Sequence, residues 1–142
     1  MKNYFLLTLL LFPIFLMGQQ YSKVPKKHWI NDNNFEEKIH VKDAFGDNDT
    51  SMVIVEFWVK FNQKNCFQDW NKLKGVTYHR IDIATAPIAK KKYRVRMAPT
   101  IIIFDKEGYK YKSFKAGLDL ICPVNLVTLQ ASIEDAKKQS QY

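Results

Sequence analysis

The chain alternates between unbroken apolar runs and apolar residues at helical spacing. Met52 to Trp58 (MVIVEFW) is nearly continuous, β-branched and aromatic, the pattern of a strand covered on both faces. Val76 to Ile83 and Thr100 to Phe104 predict a second and a third strand. Asp105-Lys106-Glu107-Gly108 then makes a turn into a last strand, Tyr109 to Phe114, where alternating Lys110 and Lys112 mark an exposed edge guarded against pairing with another chain. Helical spacing separates these runs. Phe35, Ile39 and Ala44 follow Asp32 or Asn33 as a cap and stop at Gly46. Cys66, Trp70 and Leu73 stand at i, i+4 and i+7 with Phe67 beside them, which predicts a short amphipathic helix over Asn65 to Lys74 with Asn62 as candidate cap. A third helix enters through Pro87 and ends near Tyr93. A final one runs from Pro123 to Lys138, with Val124, Val127 and Ile133 among its apolar residues. The order predicts an α/β domain: a central mixed sheet of four to five strands with helices on both faces, parallel at its start and closed by an antiparallel hairpin at one edge.

The N-terminus breaks this pattern. Lys2 is followed by an uncharged apolar run from Tyr4 to Met17 and then by Gly18-Gln19-Gln20, the layout of a secretory signal with cleavage after Gly18. The run is shorter than the roughly 20 residues of a spanning helix and contains Pro13, so no stable membrane anchor is expected after cleavage. No cysteine follows it, which argues against a lipid anchor. The expected organisation is a signal peptide at 1–18, a polar and basic arm at 19–31 that docks through Trp29 and Ile30, and one domain at 32–142. Gly46-Asp47-Asn48-Asp49-Thr50 lacks the closing glutamate of a calcium loop and reads as a solvated turn.

Composition adjusts this picture in two places. With 142 residues and 46% hydrophobic content the chain can bury one core. Its formal charge of +8 favours solubility and weak attraction to anionic surfaces without implying nucleic acid, an improbable partner for an exported protein. The run Lys90-Lys91-Lys92-Tyr93-Arg94-Val95-Arg96 reads as a solvated, cationic helix end, where the helix dipole favours positive charge. His28, His40 and His79 show no ligand spacing, and neither a metal nor another cofactor is expected.

From Val53 onward the sequence resembles the thioredoxin family. The resemblance rests on the strand Val53-Ile54-Val55-Glu56-Phe57-Trp58, on Tyr93-x-Val95-x-x-x-Pro99-Thr100 before Ile101-Ile102-Ile103-Phe104, on the turn at Gly108, and on Gly117 before the last helix. It implies a cis peptide bond between Ala98 and Pro99. It also implies where a redox pair would stand: the family's third aromatic falls on Phe61, its attacking cysteine on Asn62 and its resolving cysteine on Asn65. Both thiols are absent, and an asparagine amide cannot attack a disulfide.

Cys66 lies one residue beyond the resolving position. It reads as an inert packed thiol, as a reactive catalytic thiol acting alone, or as one half of a disulfide with Cys122, which the fold implied by the resemblance would bring to the same sheet face. Glu56 takes the place of the family's buried acid, and a partly buried carboxylate paired to Lys60 or Lys64 is an equal reading. Trp58, Phe61, Ala98, Pro99 and Gly117 would line the groove where the family receives extended peptide. The expected function is therefore an exported, redox-degenerate domain, periplasmic or secreted, that binds a protein or peptide partner of the cell envelope; the alternative is a thiol-disulfide oxidoreductase or isomerase using Cys66, with or without Cys122.

Overall fold

The computed structural model describes residues 23–40 and 52–142. The expected signal, its cleavage point, Ala44 and the turn at 46–50 lie outside the described residues. Five strands form one sheet: β1 (Trp29–Ile30), β2 (Met52–Trp58), β3 (Val76–Asp82), β4 (Thr100–Phe104) and β5 (Lys110–Lys115). Their order is β1-β3-β2-β4-β5, with β1 and β2 parallel to β3, β4 antiparallel to β2, and β5 antiparallel to β4. The mixed sheet with an antiparallel hairpin at one edge is the architecture that the apolar pattern predicts. The arm contributes more than a docking contact, since Trp29 and Ile30 form an edge strand against Arg80 and Ile81.

Alternation within β2 and β4 divides the core into two halves. Val53, Val55, Phe57, Ile102 and Phe104 point to one side, where they meet Phe35 and Ile39 of α1 (Phe35–Ile39) and Ala89 of α2 (Pro87–Lys92). Met52, Ile54, Ile101 and Ile103 point to the other, against Leu129, Ile133 and Ala136 of α3 (Leu126–Gln139). Every residue of β4 is buried, as a strand covered on both faces requires.

Helix ends differ from the sequence expectation in instructive ways. Asp32 does not cap its own helix. Its carboxylate reaches across to accept the Ile88 and Ala89 amides at 3.0 and 2.8 Å, so it caps α2 instead. The last helix starts three residues later than Pro123, because Asn125 accepts the Thr128 amide at 2.9 Å and makes the better cap. Val127 faces solvent on that helix, outside its apolar stripe. The amide group of Gln130 both accepts from the Lys74 N–H (3.0 Å) and donates to its carbonyl (3.1 Å), tying α3 to the loop before β3.

The predicted helix over Asn65 to Lys74 is corrected. In its place stand two short 3-10 turns, Lys60–Asn65 and Trp70–Lys72, joined by irregular chain. The physical reason lies in the backbone of Phe67. Its N–H donates to Glu56 at 2.6 Å and its carbonyl accepts from Arg80 at 3.2 Å, so neither group is free for a helical ladder.

α2 closes with the Arg94 N–H on the Lys91 carbonyl (3.2 Å) and the Val95 N–H on the Lys90 carbonyl (2.9 Å), the bonding of a Schellman motif. Its left-handed position, ordinarily glycine, is Arg94 at φ 52°.

Two outcomes follow from these helix ends. Asp32→Ala lowers the unfolding free energy by about 1 kcal/mol and speeds amide exchange at Ile88 and Ala89, read by urea titration and hydrogen exchange. Arg94→Gly raises it by about 1 kcal/mol, because glycine adopts the left-handed backbone without a Cβ penalty.

Candidate functional site

Glu56 is the single acid in an otherwise apolar strand, and it is fully buried. Parallel pairing of β2 with β3 sets Arg80 directly opposite it. Arg80 donates to the carboxylate from Nε (3.0 Å) and Nη2 (2.8 Å), and Tyr78 donates its hydroxyl at 2.5 Å. With the Phe67 amide, four donors converge on one carboxylate. The expected pairing with Lys60 or Lys64 is thus corrected: a lysine on the following turn lies at the surface, whereas Arg80 reaches Glu56 within the sheet itself. Burial pushes the Glu56 carboxyl above its ordinary range, while Arg80, the Phe67 amide and Tyr78 pull it back. Burial opposes the Arg80 charge as well, but the facing carboxylate outweighs it and holds the guanidinium protonated. Burial raises the Tyr78 hydroxyl far above its usual value, so it stays neutral, donating to Glu56 and accepting from Arg80 Nε at 2.9 Å.

Cys66 sits beside this cluster, not on a helix. It is 5% exposed and accepts from Gln68 Nε2 at 3.1 Å. Burial, and next the Glu56 charge, raise its pKa, against the pull of Arg80. Cys122 is half-buried, donates to the Val124 carbonyl at 3.3 Å, and is pushed by burial up to about 11. Both cysteines are free thiols in the structure. Neither has the exposed, electropositive setting that makes a nucleophilic thiolate. An open cavity of about 440 Å³ is lined by Cys66, Arg80, Gln63, Lys23, Trp58 and Trp29, the two indole rings meeting edge to face at 5.0 Å.

Asn62 and Asn65 are brought together at the corner after β2. Asn62 is buried, and its Nδ2 donates to the carbonyls of Ala98 and Leu120, both at 2.8 Å. Asn65 Nδ2 donates in turn to Asn62 Oδ1 at 2.8 Å. One amide thereby joins three segments: the turn after β2, the loop before β4, and the loop before α3. Leu120, an apolar loop residue with no chemical signal in the sequence, holds a left-handed backbone at φ 57° while presenting its carbonyl to Asn62. The Ala98-Pro99 bond is cis, as the resemblance implies.

Of the residues expected to line a groove, Ala98 and Pro99 are buried, Trp58 is half-buried, and Phe61 and Gly117 are exposed. The exposed apolar surface at this corner is Phe61 together with Leu118 and Ile121, which flank the Asn62–Leu120 bond; Leu118 is 90% exposed. Among the described residues, no group of three His, Cys, Asp or Glu side chains is placed to hold a metal ion. Within that set His79 lies buried on β3 with Nδ1 unpartnered, and burial lowers its pKa. No helix of the described residues is long and apolar enough to cross a membrane.

Comparison with known proteins agrees with this architecture and stops there. No family model matches the chain, and no curated protein does. Among solved structures, a point mutant of thioredoxin from Halobacterium salinarum superposes with a TM-score of 0.57 at 13% identity, over 76% of this chain and 88% of that one. The protein is an α/β protein with a thioredoxin-like fold. In all, 225 solved chains match it, and a fold so widely used assigns no activity by itself.

Thiol titration checks the site's electrostatics. Alkylation of native Cys122 by iodoacetamide is much slower at pH 8 than that of a free thiol, and its rate climbs roughly tenfold per pH unit as the pH rises toward the thiol's value. Breaking the buried cluster is costly: Arg80→Met lowers the unfolding free energy by about 3–5 kcal/mol in urea titration, since it strands the Glu56 carboxylate.

Proposed function

We propose that this is an exported, redox-degenerate thioredoxin-fold protein that binds a protein partner of the cell envelope at its former active-site corner. The observation that carries the reading is the Asn62 amide, which stands where the resemblance puts the attacking cysteine and donates both its hydrogens, to Ala98 and Leu120. Thiol exchange needs a thiolate, and an amide committed to two carbonyls supplies neither nucleophile nor leaving group. The buried, high-pKa setting of Cys66 supports the same reading.

The corner also bears on how a partner would dock. In strand addition the peptide pairs with backbone groups such as the Ala98 carbonyl, yet one lone pair of that oxygen is already engaged by Asn62. The reading therefore rests on side-chain contact with the apolar rim of Phe61, Leu118 and Ile121, around residues whose polar groups are satisfied internally. Export, periplasmic or extracellular, belongs to this proposal through the Lys2 and Tyr4-to-Met17 pattern.

Two measurements test it together. In a disulfide-reduction assay the protein shows no activity above background, and Cys66→Ala changes nothing; activity lost on that substitution would instead establish an enzyme acting through Cys66. A photo-crosslinker placed at Phe61 yields a discrete adduct with a protein of the cell envelope, abolished by the pair Leu118→Asp and Ile121→Asp. An adduct that survives those changes moves the binding surface elsewhere.

A further inference from the structure

Three open clefts of about 370, 390 and 640 Å³ run in series from the loop before β4, past the outer strand β5, to the exposed side of α2. Apolar groups line each: Met97 and Ala116 in the first, Tyr93 in the second, and the exposed Pro87 and Ile88 in the third. Their rims are cationic, formed by Lys91, Lys92, Arg94, Arg96, Lys110 and Lys115. Among the described residues, Lys92 is the one rim cation in an ion pair, with Glu36 of α1.

Arg94 is common to all three clefts. It also holds the left-handed Schellman position, where glycine closes a helix without steric penalty. A side chain retained at a backbone that disfavours it, at the junction of three clefts, points to a use for that side chain. The register of the β4–β5 pair contributes as well. Lys110 and Lys115 pair with Phe104 and Thr100, which sends both toward the α2 side, whereas Lys112 pairs with Ile103 and turns toward α3 and Ser132. The positive charge is thus concentrated on one face and is not an even coating of the edge strand.

We infer that this face binds an acidic peptide segment whose carboxylates alternate with apolar side chains, the apolar residues entering the clefts and the carboxylates meeting the cationic rims. A polyanion of uniform charge would use the cations and leave the apolar lining unmatched, and the one aromatic ring in that lining, Tyr93, is half-buried and gives no stacking platform for bases. The surface adjoins the Asn62 corner but does not depend on it, so either proposal can fail alone.

Fluorescence anisotropy with three labelled probes tests the inference on the full protein: a short peptide alternating glutamate with leucine, an all-glutamate peptide of equal length, and a single-stranded DNA oligonucleotide of matched charge. The alternating peptide binds best, and added salt weakens it as the rim charges are screened. Lys115→Glu and Arg94→Gly each reduce its affinity roughly tenfold. The second variant is decisive because it is expected to fold more stably than the parent, so loss of binding cannot be ascribed to unfolding. Phe61→Ser leaves the affinity unchanged. The inference is overturned if the alternating peptide does not bind, if Arg94→Gly binds it as tightly as the parent, or if the all-glutamate peptide or the oligonucleotide binds equally well or better.

Discussion

A carboxylate inside an apolar sheet must be neutralised where it stands, and the way Glu56 is neutralised shapes much of its surroundings. Arg80 faces it across the β2–β3 ladder, Tyr78 donates from the same strand, and the remaining donor is the backbone of Phe67. Those bonds draw the chain after β2 inward, place Cys66 against the cluster, and prevent the helix that the apolar spacing predicts there. The arrangement is more than an ion pair. Replacing Glu56 and Arg80 together by apolar residues would still leave the Phe67 N–H and carbonyl and the Tyr78 hydroxyl without partners, so the usual neutrality of such paired exchanges does not extend to this site.

The corner after β2 obeys the same logic with neutral groups. Asn62 is buried and contributes two donors and one acceptor, and each meets a partner: Ala98, Leu120 and Asn65. Where a thiol would leave the neighbouring carbonyls to water or to substrate, the amide satisfies them from within. The apolar side chains around it stay outside, which separates the interior bonding of the corner from its outer surface.

The strands were legible because a covered strand needs a continuous apolar run, and MVIVEFW and TIIIF leave little choice. The cis proline and the absence of a thiol pair at Asn62 and Asn65 were legible from the ordered resemblance. The helix predicted over Asn65 to Lys74 does not form because periodicity reports side chains, and here the backbone of Phe67 is claimed by Glu56 and Arg80 on the two flanking strands. Arg80 could have been found. An acid in a central strand calls for a buried cation, and the spacing of Tyr78 and Arg80 sends both to one face of the next strand. Asp32 capping α2 and Leu120 accepting from Asn62 were not legible, since both contacts join segments more than 50 residues apart.

The Asn62 bonds also bear on what recognition costs. A loop that must settle on its partner loses side-chain and backbone freedom in doing so, and that loss subtracts from affinity. Here the turn carrying Phe61 and the loop carrying Leu118 and Ile121 are stitched to each other before any encounter. The rim is preorganised, so in any complex formed there the entropy of ordering falls mainly on the other molecule, and complementary shape in that molecule decides how tightly it is held.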